Sequence, residues 1–251
     1  MRPKKDSSSL PSSKNNEMIN FYELPEIKKK LPKYWNPHFN ETQMKIPFRC
    51  GLIGASGTGK TSWLCNFLAK AQDTFGYITV VYKSQEPLYE YLEKKITGKY
   101  IKFYTKLSEL PMVEMFGNKD KQQLLVFDDQ VNEKNQEIIK EYCIRCRKHG
   151  QGVSVLYLSQ SFFKIPKLVR QQFNYLILFK LSSNRDLRLI LGDFSLGCDL
   201  KELEMIYKDA TKQKFDFLKV DVDSPDANKK FSHNWSDFYH IEQDEFHEND
   251  E

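Results

Sequence analysis

The sequence predicts an α/β fold: a mainly parallel sheet flanked by helices, with a short β extension near its C-terminal end. From residue 47 onward, short runs rich in β-branched and aromatic residues alternate with longer helical stretches. This alternation is typical of right-handed strand–helix–strand crossovers in a parallel sheet. Several of the runs are apolar at consecutive positions, which indicates strands buried on both faces.

The predicted strands of the parallel sheet cover residues 48–53, 77–82, 99–104, 123–127, 153–158 and 175–181. Helices are predicted between them, over residues 60–71, 86–95, 132–148, 186–191 and 200–210. After residue 214 the apolar alternation returns, and it predicts a terminal hairpin or edge strands at Phe215, Phe217, Val220, Val222 and residues 229–231.

Composition divides the chain into three parts. Residues 1–18 are rich in Ser, Lys, Asn and Pro without an apolar period, so we expect a disordered arm. Residues 19–240 have the composition of a globular protein and are expected to form a single domain. Residues 241–251 are expected to be a disordered acidic tail.

Neither a membrane span nor a secretory signal is expected, and we therefore predict that the protein is not secreted. The longest apolar run, Tyr175–Phe179, has five residues, whereas a membrane helix needs about 20. The charged N-terminus has no apolar stretch behind it. An odd number of cysteines, five, favours reduced thiols inside a cell. Cys143 and Cys146 form a C-x-x-C with His149 nearby, but no second pair completes a zinc site.

Charge is distributed unevenly along the chain. Residues 221–251 contain ten acids against two lysines and so carry −8; because the whole chain carries +4, residues 1–220 carry +12. A basic body is compatible with a polyanionic partner, and equally with a solvated surface beside a solubilising tail.

A complete phosphate-binding loop follows the first predicted strand. Gly54-Ala-Ser-Gly-Thr-Gly-Lys60-Thr61 fits G-x-x-x-x-G-K-[ST] and lies between a strand and a helix, the context that this motif requires. Its glycines let backbone N–H groups converge on phosphate oxygens, Lys60 adds charge beside the β- and γ-phosphates, and the Thr61 hydroxyl suits Mg²⁺. The sequence therefore predicts an ATP and Mg²⁺ site, with nucleotide-binding residues Gly54, Ala55, Ser56, Gly57, Thr58, Gly59, Lys60, Thr61 and Ser62.

Two acids end the strand predicted over residues 123–127. Asp128 is placed to hold the metal through water, and Asp129 to polarise the attacking water as a base. A second acid at this point favours a hydrolase over a switch protein.

Gln160 and Arg147 are candidates for two further catalytic roles. Gln160 lies just beyond the strand predicted over residues 153–158. If this strand lies between the strands of the P-loop and of Asp128, Gln160 can reach the γ-phosphate and act as a sensor. Arg147 is the candidate arginine finger, supplied to a neighbouring subunit. The basic residues Lys164, Lys167 and Arg170 follow Gln160 and are candidate contacts to DNA phosphates.

Several classes of P-loop protein are disfavoured. A guanine-reading Asn-Lys-x-Asp does not follow Asp128, an arginine-rich kinase lid is not evident, and the chain is too short for a two-domain helicase. Three hypotheses stay open from the residues: a ring-forming DNA-translocating ATPase, a regulatory P-loop ATPase acting on protein partners, and a nucleotide or nucleoside kinase.

Five stretches together resemble the DNA-packaging ATPases of virophages, polinton-like elements and large DNA viruses, the poxvirus-type branch of the FtsK/HerA superfamily. They are residues 31–37 (LPKYWNP), 46–61 (IPFRCGLIGASGTGKT), 124–129 (LLVFDD), 147–149 (RKH) and 158–166 (LSQSFFKIP). The resemblance covers roughly residues 25–240. The P-loop and the two acids are common to many NTPases, and the run beginning Ser159-Gln160 is the more specific part.

The resemblance implies a RecA-like core that hydrolyses ATP with Mg²⁺ and translocates double-stranded genome DNA into a preformed capsid. It also implies a homo-oligomeric ring, a pentamer or hexamer, that works with capsid or portal proteins. Such a protein would be found in the host cell cytoplasm at the site of assembly, or in the virion. The family roles carried over are those already given for Lys60, Thr61, Asp128, Asp129 and Gln160.

Overall fold

A computed structural model describes residues 18–113, 121–146 and 152–240. The chain divides into two compact units, residues 1–33 and 34–251. In the first unit, a 3-10 turn at Phe21–Glu23 precedes the short helix α1 (Pro25–Lys28), and the Asn20 side chain accepts a hydrogen bond from Tyr22 N–H. The predicted arm, apart from its last residue, and the predicted tail lie outside the described residues, so the three domain bounds stay predictions.

The second unit contains one sheet and the remaining helices. The strands are β1 (Arg49–Ile53), β2 (Tyr77–Val81), β3 (Ile101–Tyr104), β4 (Gln123–Asp128), β5 (Val153–Ser159), β6 (Tyr175–Leu178), β7 (Leu218–Asp221), β8 (Phe231–His233) and β9 (Asp237–Phe238). The helices are α2 (Phe39–Thr42), α3 (Lys60–Lys70), α4 (Pro87–Lys95), α5 (Glu137–Arg145), α6 (Lys167–Arg170), α7 (Arg185–Asp193) and α8 (Leu200–Ala210).

The strand order is β3-β2-β4-β5-β1-β6-β7-β8-β9. Strands β1 to β6 pair in parallel, and β7, β8 and β9 continue the sheet in antiparallel pairs. The predicted α/β class, the mainly parallel sheet and the terminal β extension are therefore confirmed. Strand β5 lies between β4 and β1, which is the condition for Gln160 to face the phosphate site.

Two predicted elements differ from the structure by more than two residues at one end. The helix predicted over residues 132–148 begins at Glu137, because Asp129 adopts a left-handed backbone (φ 51°) and a 3-10 turn follows at Gln130–Asn132. The predicted end of this helix, beyond residue 146, lies outside the described residues. The strand predicted over residues 175–181 ends at Leu178, where its pairing with β7 also ends.

The parallel sheet separates two hydrophobic cores. Along β4, Leu125 and Phe127 belong to one core, whereas Leu124 and Val126 belong to the other. Successive side chains of a strand point to opposite faces, so a strand with a core on each side has to be apolar throughout. This explains the unbroken apolar runs of the sequence.

Cys143 and Cys146 lie in the first of these cores. Burial raises the pKa of the Cys143 thiol to about 12 and that of the Cys146 thiol further. Both side chains thus pack as small apolar groups, and His149, the third residue of that sequence pattern, lies outside the described residues. No helix within the described ranges is long and apolar enough to span a bilayer.

Arg170, grouped above with the candidate DNA contacts, is a buried structural residue. Its Nε donates to Asp193 Oδ2 at 2.8 Å, and its Nη1 donates to the carbonyl oxygens of Phe163 (3.2 Å) and Ile165 (2.9 Å). Each side chain of the ion pair is only 9% exposed. The prediction that Arg170 contacts DNA is therefore wrong, because its hydrogen-bonding groups are already used to anchor the loop before α6.

We expect Arg170→Ala to destabilise the fold by about 3–5 kcal/mol, since it leaves the Asp193 carboxylate buried without its partner. The free energy of unfolding in denaturant measures this. Lys167→Ala is the matched control, because Lys167 begins the same short helix but is exposed; it should change stability by no more than about 0.5 kcal/mol. Equal stabilities of the two variants would contradict the buried ion pair.

Candidate nucleotide-binding site

The carboxyl end of β5 joins the two sequence motifs through the backbone. The Leu158 carbonyl accepts a hydrogen bond from Asp129 N–H (3.2 Å), and the Ser159 carbonyl accepts one from Gly54 N–H (3.1 Å). In register, Asp128 lies opposite Leu158 and Ile53 opposite Ser159. Gly54, the first residue of the P-loop, and Asp129 are therefore hydrogen-bonded to consecutive carbonyl groups of one strand.

The P-loop is closely packed at its first glycine. A Cβ at Gly54 would lie 2.6 Å from Phe179 Cβ and 2.7 Å from Thr58 Oγ1, distances that carbon atoms do not tolerate. Only glycine fits here, which explains why the motif requires it. Helix α3 begins at Lys60, so its free N–H groups and the positive end of its dipole point to the loop.

Lys60 is held inside the loop that precedes it. Its Nζ donates to the carbonyl oxygens of Gly54 (2.8 Å) and Ala55 (3.0 Å). Burial lowers the pKa of the Lys60 ammonium, and the carboxylates of Asp128, Asp129 and Glu86 act in the opposite direction. Phosphate oxygens of an anionic ligand would add negative charge beside this half-buried cation and stabilise its charged form.

Asp128 and Thr61 converge on the hydroxyl of Tyr89. Tyr89 Oη donates to Asp128 Oδ2 at 2.5 Å, and the Thr61 side chain lies near enough to the same hydroxyl to lower its pKa. Burial is the main reason that the pKa of the Asp128 carboxyl rises to about 6, and Glu86 and Asp129 raise it further; the Tyr89 hydrogen bond and Lys60 oppose the rise. Burial also raises the pKa of the Tyr89 hydroxyl, which stays a donor.

These donors fit a magnesium ion. Mg²⁺ usually takes one or two carboxylates and completes its shell with water and substrate phosphate. Here one carboxylate, Asp128, accepts a hydrogen bond from Tyr89 Oη, and Thr61 acts on the pKa of the same hydroxyl. Within the described ranges no cluster of three or more acidic, histidine or cysteine side chains could hold a metal by itself.

Asp129 sits at the turn between β4 and the 3-10 segment. Its left-handed backbone is one that Asp tolerates better than most residues. The turn is supported by the buried Gln130, whose Nε2 donates to the Asp128 carbonyl at 2.8 Å. The Asp129 carboxylate is half-buried and near enough to act on the pKa of Lys60.

Gln160 is exposed at the end of β5, one residue beyond the carbonyl that holds Gly54. The loop after it is anchored by Asp186 at the start of α7, whose buried carboxylate accepts hydrogen bonds from Ser161 Oγ and from the N–H groups of Phe162 and Phe163. Gln160 therefore stands between the phosphate site and a loop fixed to another helix. Arg147, the candidate finger, lies outside the described residues.

The structure brings in two residues that sequence reasoning missed, Tyr89 and Glu86. Both belong to the segment after β2, where Glu86 precedes α4 and Tyr89 lies in its first turn. Their proximity to Asp128 depends on β2 pairing with β4. One general rule could have pointed to them. In a parallel sheet, the helix that follows each strand begins at the carboxyl edge, which is the edge that carries the P-loop, so the first residues of α4 are expected there.

A sequence profile of the family described as Poxvirus A32 protein matches residues 36–224, which is more than half of the chain. The chain belongs to the poxvirus A32 protein family. This confirms the resemblance to the poxvirus-type branch. No protein of curated function matches the chain by sequence.

Solved structures share the fold of this A32-family protein. The genome packaging NTPase B204 from Sulfolobus turreted icosahedral virus 2, in complex with AMPPCP, has a TM-score of 0.56 and 15% identity, over 76% of this chain and 98% of that one. A second B204 structure, described as the DNA-packaging ATPase from Sulfolobus turreted icosahedral virus, has a TM-score of 0.53 and 16% identity. The match covers 76% of this chain and 98% of that one. The pCW3 conjugation coupling protein TcpA has a TM-score of 0.52 and 12% identity, over 75% of this chain and 60% of that one. At these identities the likeness shows a common fold.

We expect Lys60→Ala to weaken ATP binding strongly and to abolish hydrolysis, because the loop loses the cation that faces the phosphates. Equilibrium binding and phosphate release measure the two effects. Lys94→Ala is the control, since Lys94 is exposed on α4 and should leave both unchanged. Hydrolysis by Lys60→Ala at the unaltered rate would disprove the assignment of the loop.

Proposed function

We propose that this chain is the ATP-hydrolysing motor that translocates double-stranded viral genome DNA into a preformed capsid. The observation that carries the proposal is the convergence of the P-loop, the two acids and Gln160 on one edge of the sheet, in a chain of the A32 family. The descriptions of B204 as a genome packaging NTPase and a DNA-packaging ATPase support it. The half-buried Lys60 ammonium, held inside the P-loop, supports ATP as the ligand.

Each residue of the site has a distinct proposed role in hydrolysis. Lys60 and the N–H groups of the loop bind the phosphates, and Thr61 with Asp128 would hold Mg²⁺, which supplies charge neutralisation at the β- and γ-phosphates. Asp129 orients a water molecule and accepts its proton as the water oxygen bonds to the γ-phosphorus. The bond from that phosphorus to the bridging oxygen breaks, and ADP leaves with the electron pair. Tyr89 acts through Asp128 and is a positioning residue.

The pKa of Asp128 predicts how the magnesium requirement depends on pH. Because the carboxyl must be ionised to hold the ion, lowering the pH through about 6 should raise the Mg²⁺ concentration needed for half-maximal hydrolysis by about tenfold per pH unit. Tyr89→Phe removes a hydrogen bond to the ionised form, so the rise should begin at higher pH.

Two variants control this experiment. Tyr91→Phe alters an exposed tyrosine of the same helix and should keep the wild-type profile. Asp128→Asn should need more Mg²⁺ at every pH and lose the dependence near pH 6. A wild-type pH profile in Asp128→Asn would show that another group binds the ion. Asp129→Asn should instead bind ATP and Mg²⁺ normally and hydrolyse slowly.

Gln160 is proposed to couple the γ-phosphate to DNA through the loop that Asp186 anchors. Long duplex DNA should stimulate hydrolysis by the wild type, and Gln160→Ala should lose this stimulation while its ATP affinity stays near normal. Gln171→Ala, at an exposed position beyond α6, is the control. Phosphate transfer to a small acceptor instead of water would favour a kinase, and indifference to DNA in the wild type would favour a regulatory ATPase.

DNA contacts are proposed at two exposed lysines, Lys164 in this loop and Lys167 at the start of α6. Binding should be independent of sequence and weaken with salt, because phosphate contacts release counterions. The double variant Lys164→Ala/Lys167→Ala should flatten the slope of log affinity against log salt by about one unit per lost contact and spare hydrolysis without DNA. Lys94→Ala/Lys95→Ala is the matched control. An unchanged slope in the loop variant would exclude these two lysines.

A homo-oligomeric ring, with Arg147 supplied to the neighbouring site, is proposed with the motor. An arginine donated across an interface needs heterologous contacts, and these close into rings. Capsid or portal proteins are the proposed partners, and the host cytoplasm at the assembly site, or the virion, is the proposed location. The basic character of residues 1–220 supports a polyanionic partner.

A further inference from the structure

Phe215 has an unfavourable conformation next to the P-loop. It is a bulky residue with a left-handed backbone (φ 74°), and its side chain is 54% exposed. The ring lies directly against Gly59: a Cβ at that glycine would be 2.6 Å from Phe215 Cδ1. A left-handed phenylalanine with an exposed ring is rare, and strained residues of this kind cluster at binding sites.

A cavity of about 330 Å³ opens beside this ring. Its walls include the aromatic side chains of Trp63, Phe215 and Trp235, and polar groups of Asn66 and Asp216 also face it. Flat aromatic walls with a few polar groups are typical of sites for a flat, heteroaromatic ligand.

The polarity of the phosphate site indicates which part of a nucleotide reaches this cavity. Lys60 and Asp128 mark the γ-phosphate end. Ser62, which follows the magnesium-binding Thr61 in α3, lines the cavity, and so does Asn66 one turn further along the helix. A nucleotide whose γ-phosphate faces Asp128 therefore directs its α-phosphate, ribose and base toward the cavity.

Trp63 belongs to a packed aromatic stack in the wall of this cavity. Its side chain is 3% exposed, and its ring stacks on those of Phe67 and Trp235, with ring centroids 5.1 Å apart in each pair. The wall is therefore rigid before a ligand binds, and Phe215 is the exposed ring beside it.

We propose that Phe215 stacks on the base of bound ATP, and that the cavity beside it, between Trp63, Asn66 and Asp216, holds the base and ribose. The proposal rests on ATP as the ligand of the proposed function. The left-handed backbone of Phe215 is unfavourable, but it places the ring over Gly59. In this proposal the nucleotide passes Gly59 on its way from the P-loop to the cavity.

A second cavity, of about 240 Å³, also borders Phe215 and shares Phe179 and Asp216 with the first. It is lined by P-loop residues 56–58 and by Lys212, Gln213 and Lys214. Its lining is basic and contains no tryptophan, so it is less suited to a base. Asn66 lines only the first cavity and Gln213 only the second, and this difference allows the two to be tested separately.

The first experiment compares the affinities of ATP and inorganic tripolyphosphate, which has the phosphates but no base. Phe215→Ala should weaken ATP binding by about tenfold, the order expected for one lost base stack, and leave tripolyphosphate binding unchanged. Phe163→Ala, at another exposed phenylalanine, should change neither. Phe215→Gly, which also relieves the left-handed strain, should keep or raise the midpoint of thermal unfolding and lose ATP affinity to the same extent.

The second experiment fills one cavity at a time. Asn66→Trp should weaken ATP but not tripolyphosphate, whereas Gln213→Trp should alter neither. The reverse pattern would place the base in the second cavity, and unchanged ATP binding in Phe215→Ala would remove the stack; either result overturns the proposal. Failure of the proposed function is a separate outcome, because it would appear as Lys60→Ala binding both ligands with wild-type affinity.

Discussion

The arrangement of this site depends on two consecutive carbonyl groups at the end of β5. The Leu158 carbonyl holds the N–H of Asp129 and the Ser159 carbonyl holds that of Gly54. Because β5 is buried along its whole length between β4 and β1, these two peptides have little freedom to move. The P-loop, the acids and Gln160 are thereby fixed relative to one another before any ligand is bound.

The charges of Lys60 and Asp128 make this rigid site suitable for a nucleotide. Burial disfavours charge on both Lys60 and Asp128, so the pKa of the lysine is lowered and that of the acid is raised. The opposite charges of Lys60 and Asp128 each reduce the pKa shift of the other group. Lys60 also uses the carbonyls of Gly54 and Ala55 as partners. Bound phosphates would add negative charge beside Lys60 and raise its pKa again, and this stabilisation of the ammonium favours binding.

The mainly parallel class of the sheet and the positions of Lys60 and Asp128 could be predicted because local patterns determine them. A glycine-rich loop between a strand and a helix, and an apolar strand that ends in acids, are each readable from neighbouring residues. Tyr89 and Glu86 could not be predicted in the same way, since their contact with the site depends on the pairing of β2 with β4.

Arg170 and Phe215 show two further limits of sequence patterns. A basic residue near lysines was predicted to face DNA, but Asp193, distant in sequence, buries it in an ion pair. Phe215 fitted the alternation of an edge strand, and yet its left-handed backbone takes it out of β7 and places its ring on Gly59. Both outcomes depend on tertiary contacts that no local period contains.

Movement along duplex DNA is the central claim, and displacement of a third strand tests it most directly. A fluorescent oligonucleotide is bound as a triplex far from the end of a long duplex, and its release is followed with time after ATP is added. The wild type should release it with a delay that grows with the distance from the end, and Lys60→Ala should not release it. Hydrolysis of ATP without any release by the wild type, under conditions in which it binds the duplex, would contradict the claim.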